Sequence, residues 1–341
     1  MTIIAGSLAS PTRAHRGELD RAQSLAEDLL RVSAQRNDCG GLVLGHLSSG
    51  RTLMFTGRFA SSRSHLEAAI ALYDPNLDRM LVHQTGIRPQ VVSQAILGTV
   101  LFCLGFQDQA LALTNASITE AARLAHPPSL ALNLSMDARL LSLVGNYVAL
   151  DARADQLVAM ATEQGFPYWC AMGTIYRGWV NVKNDDLTEG MSLLRSGSTA
   201  YRATGAELLV PYYNALLARA CESAGQFEES LALLDKVFQI VERTGERWFA
   251  AELNRHKGQL LLQQGYSDAA EEQYRKALRI AEKQEAKLWE LRAAVSLGRL
   301  RRDQGCHAEA RDLLVPIYGW FTEGFDTPGL KEAKALLDEL A

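Results

Sequence analysis

Turns recurring at an almost constant spacing constrain this 341-residue chain more than any other feature. Aligned on Gly265 of "QQGYSDAAEEQYRKALRIAE" (263–282), backward steps of 40 residues fall on Gly225, Asp185, Gly145 and Gly105, and a forward step on Gly305. One step of 48 then reaches Gly57, and a further 40 reaches Gly17. Glycine at such a point supplies the backbone freedom that ends a helix. Between the turns, Leu and Ala recur at i, i+3, i+4 and i+7, as in "SLALLDKVFQIVE", which is the period of an amphipathic helix. A unit of this kind is a helix–turn–helix whose apolar face only the next unit can bury, so the chain must stack on itself.

Two columns of small residues fix the register. Seven positions before the turns stand Gly50, Gly98, Ala138, Gly178, Ala218, Gly258 and Gly298. Five positions after them stand Ala22, Ser62, Ala110, Gly190, Ser230, Ala270 and Ala310, with Leu150 as the exception. Small side chains on both sides of a turn let two antiparallel helices approach closely. This small–turn–small pattern resembles the tetratricopeptide repeat, although that repeat is about 34 residues long and each unit here is near 40. A HEAT or armadillo-type solenoid is the alternative by period. The expected fold is therefore all-α: a TPR-like right-handed α-solenoid of antiparallel helix pairs with a C-terminal capping helix.

Its expected organisation has three parts. Residues 1–16, with Pro11 and little periodicity, form an irregular N-terminal segment in place of a first helix, as if the array began partway through a unit. Residues 17–325 carry about seven and a half units. The extra length lies in "YDPNLDRMLVHQTGIRPQVV" (73–92), where Asp74-Pro75 ends one helix and Arg88-Pro89 precedes the next; a longer connection is expected. Residues 326–341 offer Asp326 or Thr327 as N-cap and Pro328 at the first helical position of an amphipathic cap.

Composition narrows the function classes. With 22% charged residues and a net charge of −4, the chain has no bulk electrostatic reason to bind nucleic acid or an anionic membrane. No apolar run approaches the roughly 20 residues that span a bilayer, and a cytoplasmic location is expected. The five cysteines (Cys39, Cys103, Cys170, Cys221, Cys306) lie far apart, which predicts buried, reduced thiols and no disulfide framework or zinc site. No glycine precedes a lysine, so there is no P-loop, and neither G-x-S-x-G nor H-E-x-x-H occurs. The seven histidines include no i, i+4 pair to hold a metal. The acid pairs Glu228-Glu229 and Glu271-Glu272 follow turn glycines, where a helix N-terminus favours negative charge without any catalytic role. The reading is non-enzymatic, with no cofactor and no metal.

One column points to recognition. The position after each small residue of the first column reads Arg51, Thr99, Arg139, Trp179, Arg219, Gln259 and Arg299. In a tetratricopeptide array that position faces the concave groove. Arg51, Arg139, Trp179, Arg219 and Arg299 are thus the candidate binding residues, since guanidinium forks suit carboxylate or phosphate recognition. The competing expectation is that each arginine pairs with a local acid such as Glu222 or Asp303. The expected partner is a protein or peptide of acidic character, laid in the groove; a small ligand in a closed pocket near Trp179 is the alternative.

Several stretches carry a wider resemblance. "HPPSLALNLSMDARLLSL" (126–143), "EQGFPYWCAMGTIYRGW" (163–179), "ATGAELLVPYYNALLARA" (203–220), "TGERWFAAELNRHKGQLLLQQG" (244–265) and "LLVPIYGWFTEGFDTPGLKEAKALLDEL" (313–340) stand at successive stations. They resemble the C-terminal tetratricopeptide region of bacterial class III adenylate/guanylate cyclase proteins. Related versions carry a winged-helix transcriptional regulator instead, with a P-loop signalling ATPase between output domain and repeats. The resemblance implies a sensor or scaffold segment, or a remnant of such a protein, with catalysis residing in segments this chain lacks.

Overall fold

The computed structural model describes residues 16–341; the rest of the expected irregular segment, 1–15, lies outside the described residues. Among the described residues there are seventeen α-helices and no strand. α1 (Leu19–Gln35) packs on the first of seven antiparallel pairs: α2 (Cys39–Phe55) with α3 (Phe59–Ala71), α5 (Pro89–Leu104) with α6 (Gln107–Arg123), and α7 (Pro127–Val144) with α8 (Tyr147–Glu163). Then come α9 (Pro167–Lys183) with α10 (Leu187–Ala203), α11 (Val210–Ser223) with α12 (Phe227–Thr244), α13 (Ala250–Gln263) with α14 (Ser267–Lys283), and α15 (Lys287–Asp303) with α16 (His307–Tyr318). A last helix, α17 (Pro328–Glu339), packs on α15 and α16.

The turn column does what its composition requires. Gly57, Gly105, Gly145, Gly225, Gly265 and Gly305 all have positive φ, and Asp185 takes the same conformation at φ 65°. Aspartate tolerates that region because its short side chain bonds locally. A second column, between one pair and the next, went unseen in the sequence: Asn37, Ala125, Gly165, Gly205, Gly245 and Glu285 also have positive φ. Its residue types vary too much to announce a period.

The small columns are close approaches. A Cβ built on Gly178 would lie 2.8 Å from the carbonyl oxygen of Gly190 and 2.8 Å from the amide nitrogen of Leu194, so α9 and α10 meet backbone to backbone. Where serine replaces glycine or alanine, its hydroxyl donates across the pair: Ser62 Oγ to the Gly50 carbonyl at 2.6 Å, Ser230 Oγ to the Ala218 carbonyl at 2.7 Å. The 73–92 stretch is more than a connection. It folds a 3-10 turn (Pro75–Leu77) and α4 (Asp78–Thr85), and Leu81 is buried against Leu29, Val43 and Leu44, sealing a small core of its own. Burial of the thiols is only partial: Cys103 and Cys221 are buried, Cys39 is exposed, and all five are free.

The array coils until it meets itself. The amides of Arg247 and Trp248 both donate to the Phe55 carbonyl, at 2.8 and 3.1 Å. The amides of Asp108 and Gln109 donate to Glu323, at 3.0 and 3.1 Å. Phe102 packs edge-on to Trp289. Early units thus lie directly against late ones, and the concave side of the superhelix becomes an interior. Among the described residues, no helix is long and apolar enough to cross a membrane.

Candidate functional site

Closure sorts the predicted column by position along the array. Arg51, Thr99, Arg139 and Trp179 are buried; Arg219 and Gln259 are half-buried; Arg299 is exposed. The interior of the first units is filled by the chain's own side chains. Arg139, only 2% exposed, donates to Thr99 Oγ1 at 3.2 Å, and its guanidinium lies over the rings of Trp248 (5.3 Å) and Phe55 (5.9 Å). Tyr176, Tyr212 and Tyr213 are buried near it. Arg299 faces outward and pairs with Glu332 of α17 at 2.5 Å. The five candidates are therefore not one continuous stripe. Only Trp179 and Arg219 are brought together, on the wall of one cavity.

That cavity has a volume of about 200 Å³ and lies on the superhelix axis, where α7, α9, α11, α13, α15 and α17 converge. Its floor is charged. Glu252, 1% exposed, accepts from Arg255 Nε at 2.6 Å and Nη2 at 3.1 Å, and from Arg292 Nη1 at 3.3 Å; Arg219 Nη2 stands 3.6 Å away. Burial alone would raise the Glu252 carboxyl, but the guanidiniums of Arg255 and Arg292 override it and hold it down at about 2. Arg292 Nη2 also donates to the Leu143 carbonyl at 2.5 Å, tying α15 to α7. Arg219 is the least committed of the three, and burial, with Arg255 beside it, lowers its pKa. Arginine keeps its proton regardless, so positive charge exceeds negative on this floor.

Aromatic rings make the walls: Trp179, Tyr147, Tyr212 and Phe249. The buried indole nitrogen of Trp179 has no hydrogen-bond partner, and Lys183 Nζ lies 4.5 Å from the Trp179 ring centroid. Tyr212 shares a 2.6 Å hydrogen bond with Ser142. Nearby acids are taken: Glu222 binds His256 Nε2 at 2.8 Å and Gln263 at 2.9 Å, while Glu332 at the rim is held by Arg299. Arg219 thus pairs with Glu252 rather than Glu222, and Arg299 with Glu332 rather than Asp303.

Glu252, Arg255 and Arg292 were not singled out in the sequence, although a signal existed. Thirteen positions before each turn the chain reads Leu44, Val92, Leu132, Met172, Tyr212, Glu252 and Arg292. A core column that turns from apolar to charged in its last two units marks where the interior stops being dry.

Above the cavity a second buried acid behaves oppositely. Glu246, 2% exposed, accepts from the Leu209 amide at 3.0 Å and from Trp248 Nε1 at 2.9 Å, and burial pushes it up to about 7 despite those bonds and Arg139 nearby. A raised carboxyl pKa means the folded chain holds a proton the unfolded chain has lost. Stability therefore falls as pH rises from about 4.5 to about 7, by roughly 3 kcal/mol. In Glu246→Gln that contribution is expected to vanish, so the variant gains stability relative to wild type as pH rises from 5 to 8. Urea unfolding at pH 5 and pH 8 measures it; an unchanged slope would contradict the assignment.

Among the described residues, no group of three or more His, Cys, Asp or Glu side chains converges as a metal site would require. Comparison with known proteins places the fold. Residues 210–283, spanning α11 to α14, match the tetratricopeptide repeat family model, so the chain contains a tetratricopeptide repeat region. Its solved structural neighbours are TPR-like helical solenoids. A Rap protein complexed with Competence and Sporulation Factor superposes with a TM-score of 0.60 at 11% identity, over 99% of this chain and 97% of that one. The Rap conjugation gene regulator of plasmid pLS20, in complex with the Phr* peptide, gives 0.61 at 13% identity, over 90% and 77%. NprR in complex with its cognate peptide NprX gives 0.56 at 13% identity, over 87% and 82%. In sequence, an uncharacterised protein of Rhizobium meliloti (strain 1021) is 24% identical over 246 residues, which are 72% of this chain but only 24% of that protein.

Proposed function

We propose that this chain is a non-catalytic regulatory recognition module whose ligand site is the axial cavity, and that the ligand presents a carboxylate to Arg219. The observation that carries this reading is the floor of that cavity, where three arginines surround one buried carboxylate. A low-dielectric site with surplus guanidinium charge is stabilised by an anion, and Arg recognises carboxylates through its planar fork. A protein or peptide partner is the first source of that carboxylate. Two solved structures sharing the fold hold peptides, which supports it. Little of the interior is open to a long segment, so recognition falls on the part of the partner that enters the cavity, with the rest lying across the rim. The resemblance to cyclase–ATPase signalling proteins would make the module their sensor or scaffold segment, and a match to a quarter of a longer relative suits that role.

A random linear heptapeptide library panned against wild type and against Arg219→Gln tests the reading. Acidic sequences are expected to enrich on wild type and to be lost on the variant, with both proteins equally helical by circular dichroism. Enrichment without acidic bias, or the same enrichment on both, would refute it. The second reading, a small-ligand sensor, is favoured by one fact: the cavity holds only about 200 Å³.

A further inference from the structure

The size, walls and floor of the axial cavity together specify more than an anion. A volume of about 200 Å³ is that of about seven waters at ~30 Å³ each, or one ring with a short acidic arm. Arg292 ties the surrounding helices together through the Leu143 carbonyl and Glu252.

Polar groups on the cavity have unequal claims on them. Arg255 spends Nε and Nη2 on Glu252, and Arg292 spends Nη1 on Glu252 and Nη2 on the Leu143 carbonyl. Arg219 has only its 3.6 Å approach to Glu252, and its side chain is 29% exposed. The Trp179 indole N–H, in a residue 2% exposed, is unpartnered. Of the three arginines, Arg219 thus remains for a ligand, beside the Trp179, Tyr147, Tyr212 and Phe249 rings; the Trp179 N–H is sealed from the cavity. The carboxylates that could repel an anion are Glu252, Glu222 and Glu332. Arginine neutralises the first, His256 and Gln263 hold the second, and Arg299 holds the third.

Resting on the reading of this cavity as the ligand site, we propose that it binds an aromatic carboxylic acid. The carboxylate takes Arg219, and the ring lies among Trp179, Tyr212 and Phe249. Such chemistry has two sources: a free small acid, or the C-terminal aromatic residue of a peptide. Apolar ring burial supplies the affinity, and the carboxylate, matched to an under-compensated guanidinium, supplies the selection.

The test is calorimetric titration of the intact protein with phenylacetate and indole-3-acetate, their amides, and the peptide Ala-Ala-Ala-Phe with a free or amidated C-terminus. The acids are expected to bind and the amides to bind at least tenfold more weakly. Arg219→Gln should weaken the acids about tenfold or more, and Trp179→Leu, which removes a ring from the wall, a few-fold. Binding by phenylacetate or indole-3-acetate assigns a free acid as the source; binding by the free peptide alone assigns a chain end. Equal binding of acids and amides, binding unaffected by Arg219→Gln, or no binding by any of the acids overturns the proposal. If acidic heptapeptides are nevertheless selected through Arg219, the recognition module stands and only the aromatic-acid assignment falls.

Discussion

Glu252→Ala is expected to be the most damaging single truncation in the cavity region, lowering the free energy of unfolding by about 3–5 kcal/mol. The side chain is almost fully buried, and Arg255, Arg292 and Arg219 converge on it. Removing it leaves three guanidiniums facing one another in a desolvated space, with nothing to offset either their repulsion or their lost hydration. The same group dictates the acid limb of stability. Its folded pKa lies below the ordinary value, so its contribution is complete above about pH 4.5 and is lost as pH falls towards 2, by roughly 3 kcal/mol. Above pH 4.5 Glu246 acts in the opposite direction, and His256, held down to about 4 by burial, offsets it by adding stability as pH rises to about 6.5. Guanidinium unfolding of wild type and Glu252→Gln between pH 2.5 and 5 is the measurement. If the variant loses stability on acidification as steeply as wild type, Glu252 is not the titrating group.

Gly178→Ala is expected to cost about 2–3 kcal/mol even though alanine is the better helix former. The new Cβ would meet the Gly190 carbonyl oxygen and the Leu194 amide nitrogen at 2.8 Å, and backbone cannot rotate out of the way as a side chain can. α9 and α10 would have to separate, loosening the unit that carries Trp179 into the cavity. Gly329→Ala is the control. Gly329 lies in α17 with nothing within 4 Å of its Cβ position, so the same change there should be neutral or stabilise by about 0.5 kcal/mol. Thermal unfolding of the two variants separates the effects. Equal shifts in Tm would show that helix propensity, not close approach, governs the column.

The array was legible in the sequence because each unit repeats the same local demands. Gly265 ends one helix, Ala270 seats the next, and both recur at a spacing that survives one insertion. The intervening turn column escaped because Asn37, Ala125 and Glu285 adopt positive φ beside Gly165 and Gly205, so conformation repeats where residue type does not. The 73–92 stretch was recognised as an insertion, but that Leu81 would plug a core against Leu29 and Val43 depended on where its helix came to lie.

By itself, the sequence determined the helices, their pairing and the residues at which the pairs touch, since all of these are set within one unit or between neighbours. The tertiary structure alone decided what the concave side became. A small rotation per unit, summed over several units, brings Phe55 to Trp248 and Leu143 to Arg292, and no local pattern encodes that sum. One column of arginines was thereby split. Arg51 was buried, Arg139 was sealed against aromatic rings, Arg299 was left outside with Glu332, and Arg219 was set with Trp179 over a carboxylate it only partly neutralises. Identical register gives identical direction from the helix, but burial depends on which distant unit stands opposite. That long-range geometry is why a repeat could be read from the text while its binding site had to be seen.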